Sequence, residues 1–252
     1  MGAIKWIGGV LGWSVGGVIG SIMGYAVGSF IDSVFSGEAI TTRTFGQGQR
    51  QSQHQRPSTQ PGDFGVSLLI LSAAVMKSDN QVLKSELDYV KQFFVRQFGE
   101  AKASNYILML RELLKQNYNL RDVCQEIKFY MDHASRLQLM HFLFGLSMSD
   151  GNAHPNELNT IHQIATWLGI SAIDEESIKA MFIKSANSAY KILEINKEAT
   201  NDEVRKAYKR LAIKHHPDKV SHLGEDIQQA ANEKFKEINQ AFEQIKKERG
   251  IK

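Results

Sequence analysis

Residues 197–219, KEATNDEVRKAYKRLAIKHHPDK, decide how this chain is read. Thr200 or Asn201 can cap a helix, and Glu203 falls in its first turn, where a carboxylate meets unpaired N–H groups and the positive end of the helix dipole. Val204, Ala207, Tyr208 and Leu211 recur at helical spacing and form one apolar stripe. Arg205, Lys206, Lys209, Arg210 and Lys214 occupy the other faces. His216, Pro217 and Asp218 close the helix, because proline has no N–H to continue it. Upstream, Tyr190 and Leu193 mark a short apolar helix. Downstream of a polar loop, Ala231, Phe235, Ile238, Phe242 and Ile245 alternate at spacings of four and three, the seam of a second long helix. Two amphipathic helices joined by a loop should pack as an antiparallel hairpin, with the Tyr190 helix over one end.

From residue 63 to residue 186 the pattern is also helical. Apolar groups cluster over Leu68–Met76, Leu87–Phe98, Tyr106–Leu114, Leu120–Met131, Leu137–Ser147, Glu157–Leu168 and Asp174–Ile183, and no segment alternates as a strand would. An internal repeat lies inside this region. MKSDNQVLKSEL (76–87) aligns with SMSDGNAHPNEL (147–158), so Asp79 and Glu86 correspond to Asp150 and Glu157. Two helical hairpins related by a pseudo-twofold are expected. The four carboxylates admit two readings. One is turn and cap chemistry, with Asp150-Gly151 in a tight turn and Pro155 and Glu157 at the first and third helical positions. The other is a divalent cation, since hard cations take carboxylate oxygens, although the spacing departs from the calcium-loop pattern. No other cofactor is expected.

Trp6 to Ile31 carries no charge, between Lys5 and Asp32. As a helix this run is roughly 39 Å long, enough to cross a hydrocarbon core of about 30 Å. Gly8, Gly12, Gly16, Gly20, Gly24 and Gly28 recur at every fourth position. In water each mid-helix glycine costs about 1 kcal/mol relative to alanine. In lipid the helix is enforced, and the row becomes a groove where a second helix can approach closely. A self-associating transmembrane anchor over residues 1–35 is the leading reading; a cleaved signal peptide and a glycine-rich tail are the alternatives. Lys5 before the run, with Arg43 and Arg50 after it, slightly favours a cytoplasmic C-terminal side. Residues 36–62, including GQGQRQSQHQRPSTQPG, are too polar to fold alone and read as a disordered linker reaching roughly 30 Å.

The net charge of +3 gives no global field that would draw nucleic acid, and no nucleic-acid partner is expected. One cysteine, Cys124, cannot form an internal disulfide; it reads as a small buried hydrophobe in a reducing compartment. There is no nucleophile elbow, phosphate loop or dinucleotide fingerprint.

Two resemblances follow from these residues. The acidic turn SDGNAHPNEL and its first copy look like those of the TerB-like tellurite-resistance domains. From Ala189 to about Gly250, Tyr190 and Leu193, the basic RKAYKRLA helix, His216-Pro217-Asp218 and KFKEINQAFE resemble a J-domain in content, order and spacing. Glu194-Ile195 departs from it, standing where that family usually has glycine and an aliphatic residue; this should alter a surface turn and not the activity. Glycine-rich anchor, TerB-like domain (63–186) and J-domain (187–252) together resemble the membrane-anchored DnaJ-like co-chaperones of bacteria.

The resemblance implies an all-α protein with one transmembrane helix, N-terminus outside and C-terminal domains in the cytoplasm, in the inner membrane. It implies a regulator and not an enzyme. The basic helix would dock on an acidic patch of a DnaK-type ATPase, and His216-Pro217-Asp218 would trigger hydrolysis of the partner's ATP. It also implies a homodimer through the anchor. The physical chemistry is consistent: Pro217 pre-sets the loop, Asp218 can anchor a cationic group, and rim charges such as Arg205 and Lys206 speed encounter. The runner-up is a metal or envelope-stress sensor working through the TerB-like domain. A third reading is a membrane-organising scaffold indifferent to residues after Ala189.

Overall fold

A computed structural model of the chain describes residues 17–24, 61–79, 81–185 and 187–251. Helices account for all its regular structure, and the described residues contain no strand. Helix α1 covers 17–24 and so holds Gly20 and Gly24 of the glycine row; Gly8, Gly12, Gly16, Gly28 and nearly all of the expected linker lie outside the described residues. The α1 segment rests on the middle domain, where the N–H groups of Val18 and Ile19 donate to Glu126 Oε2 at 2.7 and 3.1 Å. No helix among the described residues is long and apolar enough to cross a membrane.

The middle domain comprises α2 (Pro61–Met76), α3 (Lys84–Phe98), α4 (Glu100–Lys115), α5 (Leu120–Tyr130), α6 (His133–Ser147), α7 (Pro155–Leu168) and α8 (Ala172–Phe182). Its first helix opens at Pro61, inside the stretch read as linker, with the proline at the helix start where no N–H is needed. Helices α2 and α6 are apolar nearly all round, and this is why both lie in the centre. Leu68, Leu69, Ile70 and Leu71 of α2 and Leu139, Met140, Leu143 and Leu146 of α6 are fully buried, so truncating one to alanine should cost about 2–5 kcal/mol. Gly145 lets α3 come close, since a Cβ there would collide with the Tyr89 hydroxyl.

The repeat is visible as geometry. Central α2 leads through its acidic turn to α3, and central α6 leads through its own to α7; α2 packs on both α6 and α7, while α6 packs on α2 and α3. Asp79 Oδ1 accepts from Gln81 N–H and Asp150 Oδ1 from Asn152 N–H, each at 2.9 Å. Glu86 Oε2 reaches back to Leu83 N–H at 2.7 Å, and Glu157 Oε2 to His154 N–H at 3.4 Å. All four carboxylates thus serve turns and helix starts. Cys124 is fully buried on α5, and burial pushes its thiol up to about 12.

The C-terminal domain has α9 (Ser188–Ile192), α10 (Asn201–Lys214), a 3₁₀ segment η1 (Pro217–Leu223) and α11 (Glu225–Arg249). Thr200 caps α10 through a reciprocal box: its Oγ1 accepts from Glu203 N–H at 3.3 Å, and Glu203 Oε2 accepts from Thr200 N–H at 2.7 Å. Val204, Ala207 and Leu211 are buried against α11. The Tyr208 ring stacks on Phe242 at 4.2 Å, and its hydroxyl donates to Asn239. Tyr190 and Leu193 are buried at one end, where Arg249 lies over the Tyr190 ring at 5.0 Å and donates to its hydroxyl oxygen.

Residues 219–226 are not simply a polar loop. Val220, Leu223, Ile227 and Ala231 join the apolar core of the middle domain. Gln97 donates to the Leu223 carbonyl at 3.1 Å, and His222 lies 3.5 Å from Asp132. On the other side Ser177 of α8 donates to the Ile192 carbonyl at 2.8 Å, and Lys191 pairs with Glu176 at 2.7 Å. The two helical domains therefore share a packed junction.

Candidate functional site

Helix α10 and the turn that follows it present the residues singled out by sequence. Arg205, Lys206, Lys209 and Arg210 are exposed along α10, while Lys214 is only 26% exposed. His216 caps η1: its Nδ1 accepts from Asp218 N–H at 3.3 Å and lies 3.4 Å from Asp218 Oδ2. Pro217 is the first residue of η1, where its missing N–H is no loss. Asp218 is 77% exposed, and the ring of Phe235 on α11 stands edge-on to His216 at 6.1 Å. The tripeptide is thus an outward-facing, proline-stiffened turn at the end of a basic helix.

Three families of sequence match this architecture. Models described as the DnaJ domain, the tellurite resistance protein TerB and the co-chaperone DjlA transmembrane domain match residues 188–251, 66–180 and 1–52 respectively. The chain is similar to "Co-chaperone protein DjlA" of Vibrio vulnificus (29% identical, covering 86% of this chain and 87% of the relative) and of Coxiella burnetii (23% identical, 98% and 100%). Over most of its length the chain resembles the DjlA co-chaperones. Its DnaJ and DjlA transmembrane-domain matches make it a J-protein co-chaperone, of a kind that regulates rather than catalyses, and anchored to a membrane. No solved structure matches the chain.

Sequence reasoning missed the group of charges beneath α10. Glu194, expected to alter only a surface turn, has a side chain that is 6% exposed. Its Oε2 is 2.9 Å from the Arg210 guanidinium and its Oε1 is 3.2 Å from Lys214 Nζ. Lys214 also pairs with Asp174 of α8, whose other oxygen accepts from the Ser171 hydroxyl at 2.9 Å. Burial pushes the Asp174 carboxyl up, but the Lys214 and Ser171 contacts outweigh it and hold Asp174 below the usual carboxylate range. Lys234 of α11 is fully buried nearby, with no hydrogen-bond partner for Nζ among the described residues. His215 is buried beside it and His141 half-buried; burial first, and then the Lys234 charge, push His141 down to about 3 and His215 lower still, so both rings are neutral.

Asp174, Glu194 and His215 have ligand-capable atoms within 4.8 Å of one another. The ammonium of Lys214 already bridges the two carboxylates, with Lys234 as a second cation close by, so the charge a metal would supply is present. The carboxylates named from sequence as cation candidates are placed differently. Glu86 and Glu157 are buried and approach each other between the two hairpins, while Asp79 and Asp150 cap their own turns. Burial raises Glu86 to about 7 against the opposing Leu83 N–H bond, and the Glu157 charge adds to the rise.

Proposed function

We propose that this chain stimulates ATP hydrolysis by a DnaK-type chaperone at the cytoplasmic face of the bacterial inner membrane. The observation that carries the reading is the exposed His216-Pro217-Asp218 turn at the end of the exposed basic face of α10. Each part has a physical task. Arg205, Lys206 and Lys209 draw in an acidic surface and set its orientation, chiefly by raising the association rate. Pro217 holds the turn rigid, so little conformational entropy is lost on contact. Asp218 then reaches a cationic group on the partner through a charge-assisted hydrogen bond, and His216 fixes the direction in which it points. The naming of similar chains as co-chaperones supports a chaperone as the partner.

The every-fourth glycines support a homodimer through the anchor, and Arg43 and Arg50 support a cytoplasmic C-terminal side. The acidic turns of the middle domain act as caps and need no cation. A second reading, the middle domain as an envelope-stress sensor, has one observation in its favour: two carboxylates, Glu86 and Glu157, are buried side by side, and burial pushes Glu86 up to about 7. Substitution of Asp218 abolishes the cellular phenotype under the first reading, and substitution of Asp150 does so under the second. The direct test is steady-state ATP hydrolysis by the partner with the wild-type chain or His216→Gln. At least tenfold loss of stimulation is expected, and equal stimulation would contradict the proposal.

A further inference from the structure

Glu194 is the only non-glycine residue among the described ones with positive φ, at +57°. A left-handed backbone costs an ordinary L-residue on the order of 1 kcal/mol, and glycine would adopt it freely. The side chain identifies what offsets that cost. Glu194 lies under the C-terminal half of α10, and its two oxygens meet two different cations, Arg210 and Lys214. Asp174, from the middle domain, meets Lys214 from the opposite side. The Arg210 and Lys214 charges are thus largely offset by two carboxylates. Arg205, Lys206 and Lys209, further from this cluster, stay exposed, and Arg205 lies 3.4 Å from Asp202, itself exposed on the first turn.

We propose that Glu194, backed by Asp174 of the middle domain, masks Arg210 and Lys214, the cations of α10 on the side of the His216-Pro217-Asp218 turn, and confines the docking face for an acidic partner to Arg205, Lys206 and Lys209. The inference rests on the reading of α10 as the docking helix. Glu194 is then a specificity-determining residue that works through two others. A partner whose acidic patch extends along the whole helix gains nothing from Arg210 and Lys214. One whose patch matches Arg205, Lys206 and Lys209 docks with the turn correctly placed. Asp174 makes the mask a property of the assembled junction, which gives the middle domain a part in choosing the partner. Burial of the carboxylates keeps the mask in place at physiological salt, which screens exposed pairs far more than buried ones.

The test uses the full chain in lipid vesicles with a DnaK-type ATPase, measuring the half-saturating concentration and the maximal stimulation separately. Glu194→Gln removes the charge; Glu194→Gly removes it and relaxes the backbone, so at least one variant folds without strain. Both should lower the half-saturating concentration about threefold to tenfold at low salt, a gain that shrinks at physiological salt, with maximal stimulation within about twofold of wild type. Asp174→Asn, which releases Lys214 alone, should give a smaller shift of the same sign. If wild type stimulates and the Glu194 variants leave half-saturation unchanged or raise it, the mask is refuted. If Glu194→Gly alone acts, backbone relaxation and not charge is the cause, and the mask is again refuted. A wild-type chain that fails to stimulate removes the docking reading itself.

Discussion

Replacing Lys234 with methionine should make this protein more stable, and the gain should fade as pH rises. Lys234 is fully buried where α11 meets the middle domain, and its Nζ has no hydrogen-bond partner among the described residues. Burial lowers its pKa to about 7, with Asp174 opposing the shift and Lys214 adding to it. The unfolded chain keeps this proton until about pH 10.4, whereas the folded one releases it near 7. Between those values unfolding takes up a proton, so stability rises with pH. At or below pH 7 the folded state bears nearly the whole penalty, about 4 kcal/mol; by pH 9 it falls to about 2 kcal/mol. Methionine keeps the length of the side chain and removes the charge, and such replacements of buried charges stabilise by about 1–4 kcal/mol. Urea unfolding of residues 61–252, followed by the fluorescence of Trp167, the sole tryptophan in that stretch, measures the difference at pH 6, 7 and 9. A variant destabilised at pH 7, or one whose gain does not shrink by pH 9, would refute the argument.

Other consequences are as direct. Glu86 has the opposite pH sign: its folded pKa of about 7 exceeds its unfolded value, so its contribution is complete below about pH 4.5 and is lost as pH rises through 7. Glu86→Gln should therefore be near neutral at pH 5 and stabilise by about 1–3 kcal/mol at pH 8, as read by thermal unfolding at both values. Thr200→Ala removes the cap of α10 and should cost about 1 kcal/mol in urea unfolding. Calorimetric titration with calcium, magnesium or zinc should give no saturable heat that depends on Asp79 or Asp150, since both carboxylates already hold their turns.

Much of the fold is legible in the sequence because local period and burial agree there. The Val204, Ala207, Leu211 stripe is buried as its spacing requires, and the aligned acidic turns at 76–87 and 147–158 recur as the same hydrogen bonds. What escapes is what depends on the second domain. Val220 and Leu223 sit among polar residues and read as loop, yet Val220, Leu223, Ile227 and Ala231 follow helical spacing and enter the neighbouring core. A lysine inside a helical seam reads as solvated, and only the presence of the middle domain covers Lys234 completely. Glu194 reads as a surface-turn variant because its partners, Arg210, Lys214 and through it Asp174, come from sites 16 to 20 residues away in sequence. The outward-facing residues of the site, His216, Asp218 and the exposed basic face, were the legible part, since they need no tertiary partner to be in place.

The central claim is that a proline-stiffened turn at the end of a basic helix switches ATP hydrolysis on another protein. Single-turnover hydrolysis of ATP pre-bound to a DnaK-type chaperone, mixed with the full chain in lipid vesicles, tests it most directly. The account predicts that the wild-type chain accelerates the turnover at least tenfold and that Asp218→Asn, which keeps the shape of the turn and removes its charge, leaves it at the basal rate. Equal acceleration by both chains, or none by the wild type, would contradict it.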